Sequence, residues 1–99
     1  MKYDKKENAL LGLLKMTLDH NLTVKQLLVL LNLDAPVKAS KVAHICGVTS
    51  AGATGIVDRM EAANYVKRTH SKDDRRCIIV ERTQQGFEAL KSVIDVLPR

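Results

Sequence analysis

Ninety-nine residues suffice for one domain with a single modest core and not for two. A hydrophobic share of 45% excludes an intrinsically disordered chain, and aromatics at 3%, with no Trp, leave few stacking platforms for unpaired bases. Sixteen Lys and Arg against eleven Asp and Glu give a net charge of +5, which suits a polyanionic partner: double-stranded nucleic acid or an anionic membrane surface.

The first helix is expected over about Asp4 to Leu18. Its Leu10, Leu11, Leu13, Leu14, Met16 and Leu18 occupy more than one narrow stripe, and Asp19-His20-Asn21 breaks the pattern. The second helix starts at a capping box, with Thr23 as cap, Gln26 three residues on, and Leu22 and Leu27 at the staple positions. Val24, Leu27, Leu28, Leu30 and Leu31 predict a mainly buried surface, and Asn32 to Pro36 ends the helix. Pro36-Val37 reads as a very short strand. A third helix, about Ala39 to Cys46, is capped by either Lys38 or Ser40 and closes at Gly47, suited to the left-handed position. Thr49 caps a fourth helix, Ser50 to Ala63. A short helix, a tight turn and a second helix make a helix-turn-helix. Tyr65 to His70 and Arg76 to Arg82 read as antiparallel strands joined by Ser71 to Arg75, with Ile78 and Val80 facing inward and Arg82 continuing that face, partly exposed or snorkelling. Thr83 caps a last helix with Phe87, Leu90, Val93, Ile94 and Leu97 along one side, and Pro98 ends it.

The functional signal lies in the fourth helix and the hairpin after it. Ala53, Ile56, Val57, Met60 and Ala63 form the buried face, while Ser50, Ala51, Thr54, Gly55 and Asp58 occupy the opposite one. Short side chains let a helix backbone sit deep in the major groove, where hydroxyls pair with base edges and a methyl group touches the thymine methyl. Gly52 and Gly55 each weaken a helix by roughly 1 kcal/mol relative to Ala, which points to close approach on a flank. Between residues 67 and 82, Lys67, Arg68, Lys72, Arg75, Arg76 and Arg82 outnumber Asp73, Asp74 and Glu81 by three, more than half of the whole excess charge. A guanidinium at a hairpin tip suits the negative potential of a narrow minor groove, and an acidic neighbour orients it.

Other chemistries lack support. Cys46 and Cys77 make no disulfide framework. His44 and Cys46, two apart on a helix, do not face the same way, so no metal site is expected. Cys46 reads as a buried small hydrophobe and Cys77 as a bystander thiol near the hairpin tip. No nucleophile–base arrangement or phosphate-cradling glycine loop occurs, so neither an enzyme nor a cofactor is expected. Lys2, Lys5 and Lys6 precede an apolar run that Lys15 interrupts, no secretory cleavage site follows, and no stretch approaches transmembrane length. The expectation is a soluble cytoplasmic protein without a membrane partner.

In order and spacing, Leu22-Thr23-Val24-Lys25-Gln26, Thr54 to Glu61, Asn64 to Arg68, Asp74-Arg75-Arg76 and Arg82 to Gly86 resemble the core of the MarR family of bacterial transcriptional regulators. The resemblance implies an α+β, mostly α, winged helix-turn-helix of about five helices with a two-stranded β wing. Residues 1–99 would be a single winged-helix DNA-binding domain, with 1–21 and 84–99 as terminal helices that make a homodimer. It implies sequence-specific binding of double-stranded DNA through Thr49, Ser50, Ala51, Thr54 and Gly55 on the recognition helix. In the wing, Arg76 would be the inserted arginine, with Lys67, Lys72 and Arg75 on phosphates and Asp74, with Arg59, as organisers. The chain departs from the family at Asn64, where Gly is usual, at Gly55, where many relatives carry Arg, and at Arg82, where Leu is preferred. About 22 residues precede the matched core and 13 follow Gly86, which counts against the small-molecule effector pocket of longer relatives. The rival reading is a winged-helix module that binds another protein and not DNA.

Overall fold

The computed structural model describes residues 4–19 and 21–95. Within them the elements run α1 (Lys5–Asp19), α2 (Val24–Leu31), β1 (Val37–Lys38), α3 (Ala39–Cys46), α4 (Ser50–Ala62), β2 (Val66–His70), β3 (Ile78–Arg82) and α5 (Gln84–Ile94). Leu97 and Pro98, expected at the end of the last helix, lie outside the described residues.

Local chemistry sets most boundaries. Asp4 Oδ1 accepts from the Glu7 amide at 2.8 Å ahead of α1. Thr23 and Gln26 close the capping box of α2 in both directions, at 3.1 and 3.2 Å. Thr49 and Thr83 accept from the amides of Gly52 and Gly86 at the starts of α4 and α5. At α3 the cap is Lys38, with no side-chain hydrogen bond. Helix ends use the left-handed region at Asn21, Gly47 and Asn64, with φ of 54°, 64° and 64°. Asn tolerates this conformation next best after Gly. At each, the following amide reaches back to an earlier carbonyl: Leu22 to Thr17, Val48 to Ala43 and Tyr65 to Met60.

The sheet has three strands in the order β1-β3-β2, all neighbours antiparallel. The hairpin therefore carries the expected two strands plus β1, whose Val37 and Lys38 pair with Val80 and Ile79. Register places Val66, Arg68 and His70 on one face of β2, opposite Arg82, Val80 and Ile78 of β3. Val66 and Val80 join Val29, Leu30, Val42, Met60 and Val93 at the centre of the core.

Several burial expectations are corrected by the packing. In α2 the buried residues are Gln26, Val29 and Leu30, while Val24, Leu28 and Leu31 are exposed because the core contacts one side only. Ala63 is exposed at the end of α4. Ile78 shares the face of Val80 but stands beyond the core and is 39% exposed. In α5, Leu90 and Val93 are buried within the protomer, leaving Phe87 and Ile94 exposed. Arg82 turns inward: Nη1 donates to the Leu30 carbonyl at 3.1 Å, and the guanidinium lies 5.1 Å from the centre of the Phe87 ring. That places a cation at the carbonyl end of α2 and over an aromatic face, both favourable.

Gly86 is a steric requirement. A Cβ there would fall on the Tyr65 carbonyl oxygen, because the first turn of α5 docks against that peptide. Around Gly55 the nearest atom to such a Cβ is Arg59 Nη1 at 4.0 Å. Gly86→Ala should cost about 1–3 kcal/mol through overpacking, whereas Gly55→Ala should gain up to about 1 kcal/mol of helix propensity. Urea unfolding midpoints check both signs, and a neutral Gly86→Ala would show that α5 is not held at this contact.

Candidate nucleic-acid interface

The helix-turn-helix places α4 by two local devices. Gly47 reverses the chain after α3, and Thr49 caps α4 with its hydroxyl oxygen 3.1 Å from the Gly52 amide. A Cβ on Gly52 would meet Val48 Cβ at 3.3 Å, so this glycine serves the turn. Ala53, Ile56, Val57 and Met60 are buried against the core. Thr49, Ser50, Ala51 and Thr54 are exposed, with Gly55 half-buried beside them. Thr54 Oγ1 donates to the Ser50 carbonyl at 3.0 Å, which leaves its oxygen as an acceptor toward an approaching amino group.

The wing is tied at its tip by short-range bonds. The Ser71 amide donates to the Cys77 carbonyl and the Cys77 amide to the Asp74 carbonyl, each at 2.9 Å. His70 Nδ1–H donates to the Arg75 carbonyl at 2.7 Å. Asp74 Oδ1 accepts from the Arg76 amide at 2.9 Å and lies 3.5 Å from Arg76 Nε. The structure thus brings Asp74 and Arg76 together, with the Arg76 side chain 94% exposed. An acidic side chain holding both backbone and Nε of an arginine restricts where its outer edge points.

The remaining cations divide by partner. Lys67 lies on the outer face of β2 and pairs with Glu81 across the ladder at 3.0 Å. Lys72 and Arg75 are exposed at the tip and have no ion pair among the described residues. Arg59 stands apart from Asp74, on the flank of α4 that forms a groove with Thr23, Val24 and Lys25 of the α2 start. The arginine that meets acidic groups of α4 is Arg68, which contacts Asp58 and Glu61. Sequence reasoning passed over it. The available signal was a pair of carboxylates at i and i+3 of the helix, but their partner is identified only once the hairpin folds back.

Among the described residues no cluster of His, Cys, Asp and Glu could hold a metal ion, and no helix is long and apolar enough to cross a membrane.

The family model for MarR matches residues 22–78. The chain is 32% identical over 80 residues to YfiV of Bacillus subtilis (strain 168), an HTH-type transcriptional regulator, covering 81% of this chain and 50% of YfiV. It is 31% identical over 58 residues to the transcriptional repressor MprA of Escherichia coli (strain K12), covering 59% of this chain and 33% of MprA. Among solved structures, the YusO protein from Bacillus subtilis superposes with a TM-score of 0.80 at 28% identity, covering 91% of this chain and 65% of YusO. The chain spans half or less of the length of the curated relatives it matches.

Both thiols are free and half-buried, so Cys46 is only partly covered where full burial was expected. Cys46 ends α3 with Sγ 3.7 Å from the Lys25 carbonyl, and burial raises its pKa above the ordinary thiol value against the opposing pull of the Lys25 ammonium. Burial penalises the thiolate, so reactivity is shifted to higher pH. With Cys77→Ser as background, the alkylation rate of Cys46 should rise with pH through a midpoint above that of a free cysteine. A midpoint at or below the free value would contradict the burial seen here.

Proposed function

The chain belongs to the MarR family, and from that premise we propose that it is a cytoplasmic regulator of transcription, not an enzyme, that binds double-stranded DNA sequence-specifically. One juxtaposition carries the reading: the uncovered small face of α4 beside a wing whose tip presents Lys72, Arg75 and Arg76. In this reading α4 enters the major groove, where Ser50 and Thr54 meet base edges and Ala51 and Gly55 permit close approach. Arg76 reaches the adjacent minor groove, oriented by Asp74, while Lys72 and Arg75 contact phosphates. Lys67 serves as a phosphate contact only where it yields its Glu81 pairing. With no arginine on the open face of α4, site choice leans on DNA shape and half-site spacing as well as on hydroxyls.

The protein acts as a homodimer in this reading. Leu10, Leu11, Leu14 and Leu18 of α1 are 40–78% exposed, and Phe87 and Ile94 of α5 are exposed as well. α1 rests against α5, so these side chains lie on adjoining elements. Two copies would cover apolar surface that soluble monomers usually avoid and would read half-sites about 34–36 Å apart.

Titrating wild-type binding to random duplexes with salt should give a steep log–log decline; binding that ignores salt and duplex alike would favour the protein-interaction alternative. Arg76→Ala should weaken binding to specific and random duplexes alike and make the salt slope shallower by about 0.9. Thr54→Ala should instead alter the sequences selected from a random pool, with about 1–3 kcal/mol lost at the affected base pair. Identical selected sites for both proteins would remove Thr54 from base reading.

Dimerisation is checked by sedimentation. Leu10→Glu with Leu14→Glu, both at exposed positions, should give a folded monomer with much weaker binding to paired half-sites. A wild type that sediments as a monomer at micromolar concentration would sink the dimer.

A further inference from the structure

We infer that Arg68 is a positioning residue that sets the wing against α4, so that Arg76 and the small face of α4 engage one duplex together. The inference rests on the DNA-binding reading above. Arg68 sits on the inward face of β2, opposite Val80, and its side chain crosses to α4. Nη2 donates to Asp58 Oδ1. Nε lies 3.7 Å from Glu61 Oε1, close enough for charge attraction and too long for a hydrogen bond. The Arg68 amide donates to Glu61 Oε2 at 3.2 Å, so Glu61 holds both the backbone and the guanidinium of one residue. Asp58 and Glu61, three apart, project from one side of α4 and grip the strand at two heights.

Beyond this clamp the hairpin is held by β1, which pairs with Ile79 and Val80 of β3 and leaves β2 as an edge strand, and by the turn bonds at the tip. Val66 and Val80 are in the core, but Ile78 is 39% exposed and Thr69 and His70 are exposed. Past the β1 pairing at Ile79 the hairpin continues as two strands, and such a ribbon has little independent stability and twists readily without a packed face. Arg68 is the last inward residue of β2 with partners on α4; two residues on, His70 ties to the Arg75 carbonyl, next to Arg76. A contiguous chain of contacts thus links α4 to the wing tip.

Arg68 is itself a poor phosphate contact. Its side chain is 26% exposed, and two carboxylates already offset its charge. The pair also masks Asp58, which lies on the open side of α4 and would otherwise repel phosphates.

The test is a double-mutant cycle on duplex binding with wild type, Arg68→Met, Arg76→Ala and the double variant, each confirmed folded by circular dichroism and thermal melting. Arg68→Met keeps the apolar stem and removes the fork. It should weaken binding about tenfold, and the penalty of Arg76→Ala measured on top of it should shrink by about fivefold or more, the signature of coupled sites. Arg68→Lys should restore part of both. Should Arg68→Met fail to fold, Glu61→Gln breaks the same clamp from the helix side and should likewise shrink the Arg76 penalty. An Arg76 penalty that is unchanged without the clamp overturns the positioning role and leaves the DNA reading intact. A loss of preference at a single base pair with the Arg76 penalty intact overturns it too, and makes Arg68 a base reader. A wild type that ignores duplex DNA removes both.

Discussion

The junction at Asn64 and Tyr65 is the constraint on which the rest of the fold depends. There the end of α4, the start of β2, the end of β3 and the start of α5 meet within a few residues. Asn64 takes a left-handed conformation so that the Tyr65 amide can return to the Met60 carbonyl. The Tyr65 carbonyl then accepts from the Thr83 amide at 3.0 Å, while Thr83 Oγ1 donates to the Asn64 carbonyl at 2.6 Å. Gln85 bridges the same corner, donating to the Ala63 carbonyl and accepting from Asn64 Nδ2. Backbone groups in such a crowded corner must find partners within the protein, and the arrangement leaves room at position 86 for hydrogen alone.

That junction sets the base of the hairpin, and the hairpin in turn sorts its charges. Six cations and three carboxylates between residues 67 and 82 look like one basic block in the sequence. Strand alternation splits them into three groups. Lys67 goes outward to Glu81, Arg68 and Arg82 go inward to α4 and to the α2–α5 corner, and Lys72, Arg75 and Arg76 remain at the tip. Within the last group Lys72 and Arg75 have no carboxylate partner among the described residues, and Arg76, though beside Asp74, keeps its side chain 94% exposed. A cation drawn inward to a carboxylate or a carbonyl gains less from a phosphate. The charge that the hairpin offers is therefore concentrated at its tip, which net charge alone does not tell.

Apolar residues are sorted by the same logic of faces. A small core contacts each surrounding helix along one stripe, so α1 buries Thr17 alone and α2 leaves Val24, Leu28 and Leu31 outside. Thr17 is tolerated within the packed region because its hydroxyl donates to the Leu14 carbonyl at 2.7 Å. The surplus of leucines on α1 is surface that the described residues do not cover.

Local signals determined a great deal. Caps at Thr23, Thr49 and Thr83, left-handed closures at Gly47 and Asn64, and the apolar spacing of Ala53, Ile56, Val57 and Met60 each act within a few residues, so the sequence alone specified the element order, the helix-turn-helix and the small face of α4. The pairing of Asp74 with Arg76 was legible for the same reason, being a contact between near neighbours. What only the tertiary structure decided depends on partners far along the chain. Arg68 meets carboxylates seven and ten residues earlier, Arg82 meets a carbonyl fifty-two residues earlier, and Gly86 is required by a peptide twenty-one residues away. The burial of Leu90 and the exposure of Leu28 likewise follow from which side of each helix the core happened to occupy. Hydrophobic spacing states that a helix has an apolar side, but a side two residues wide of the core is written with the same letters as one inside it, and only packing tells them apart.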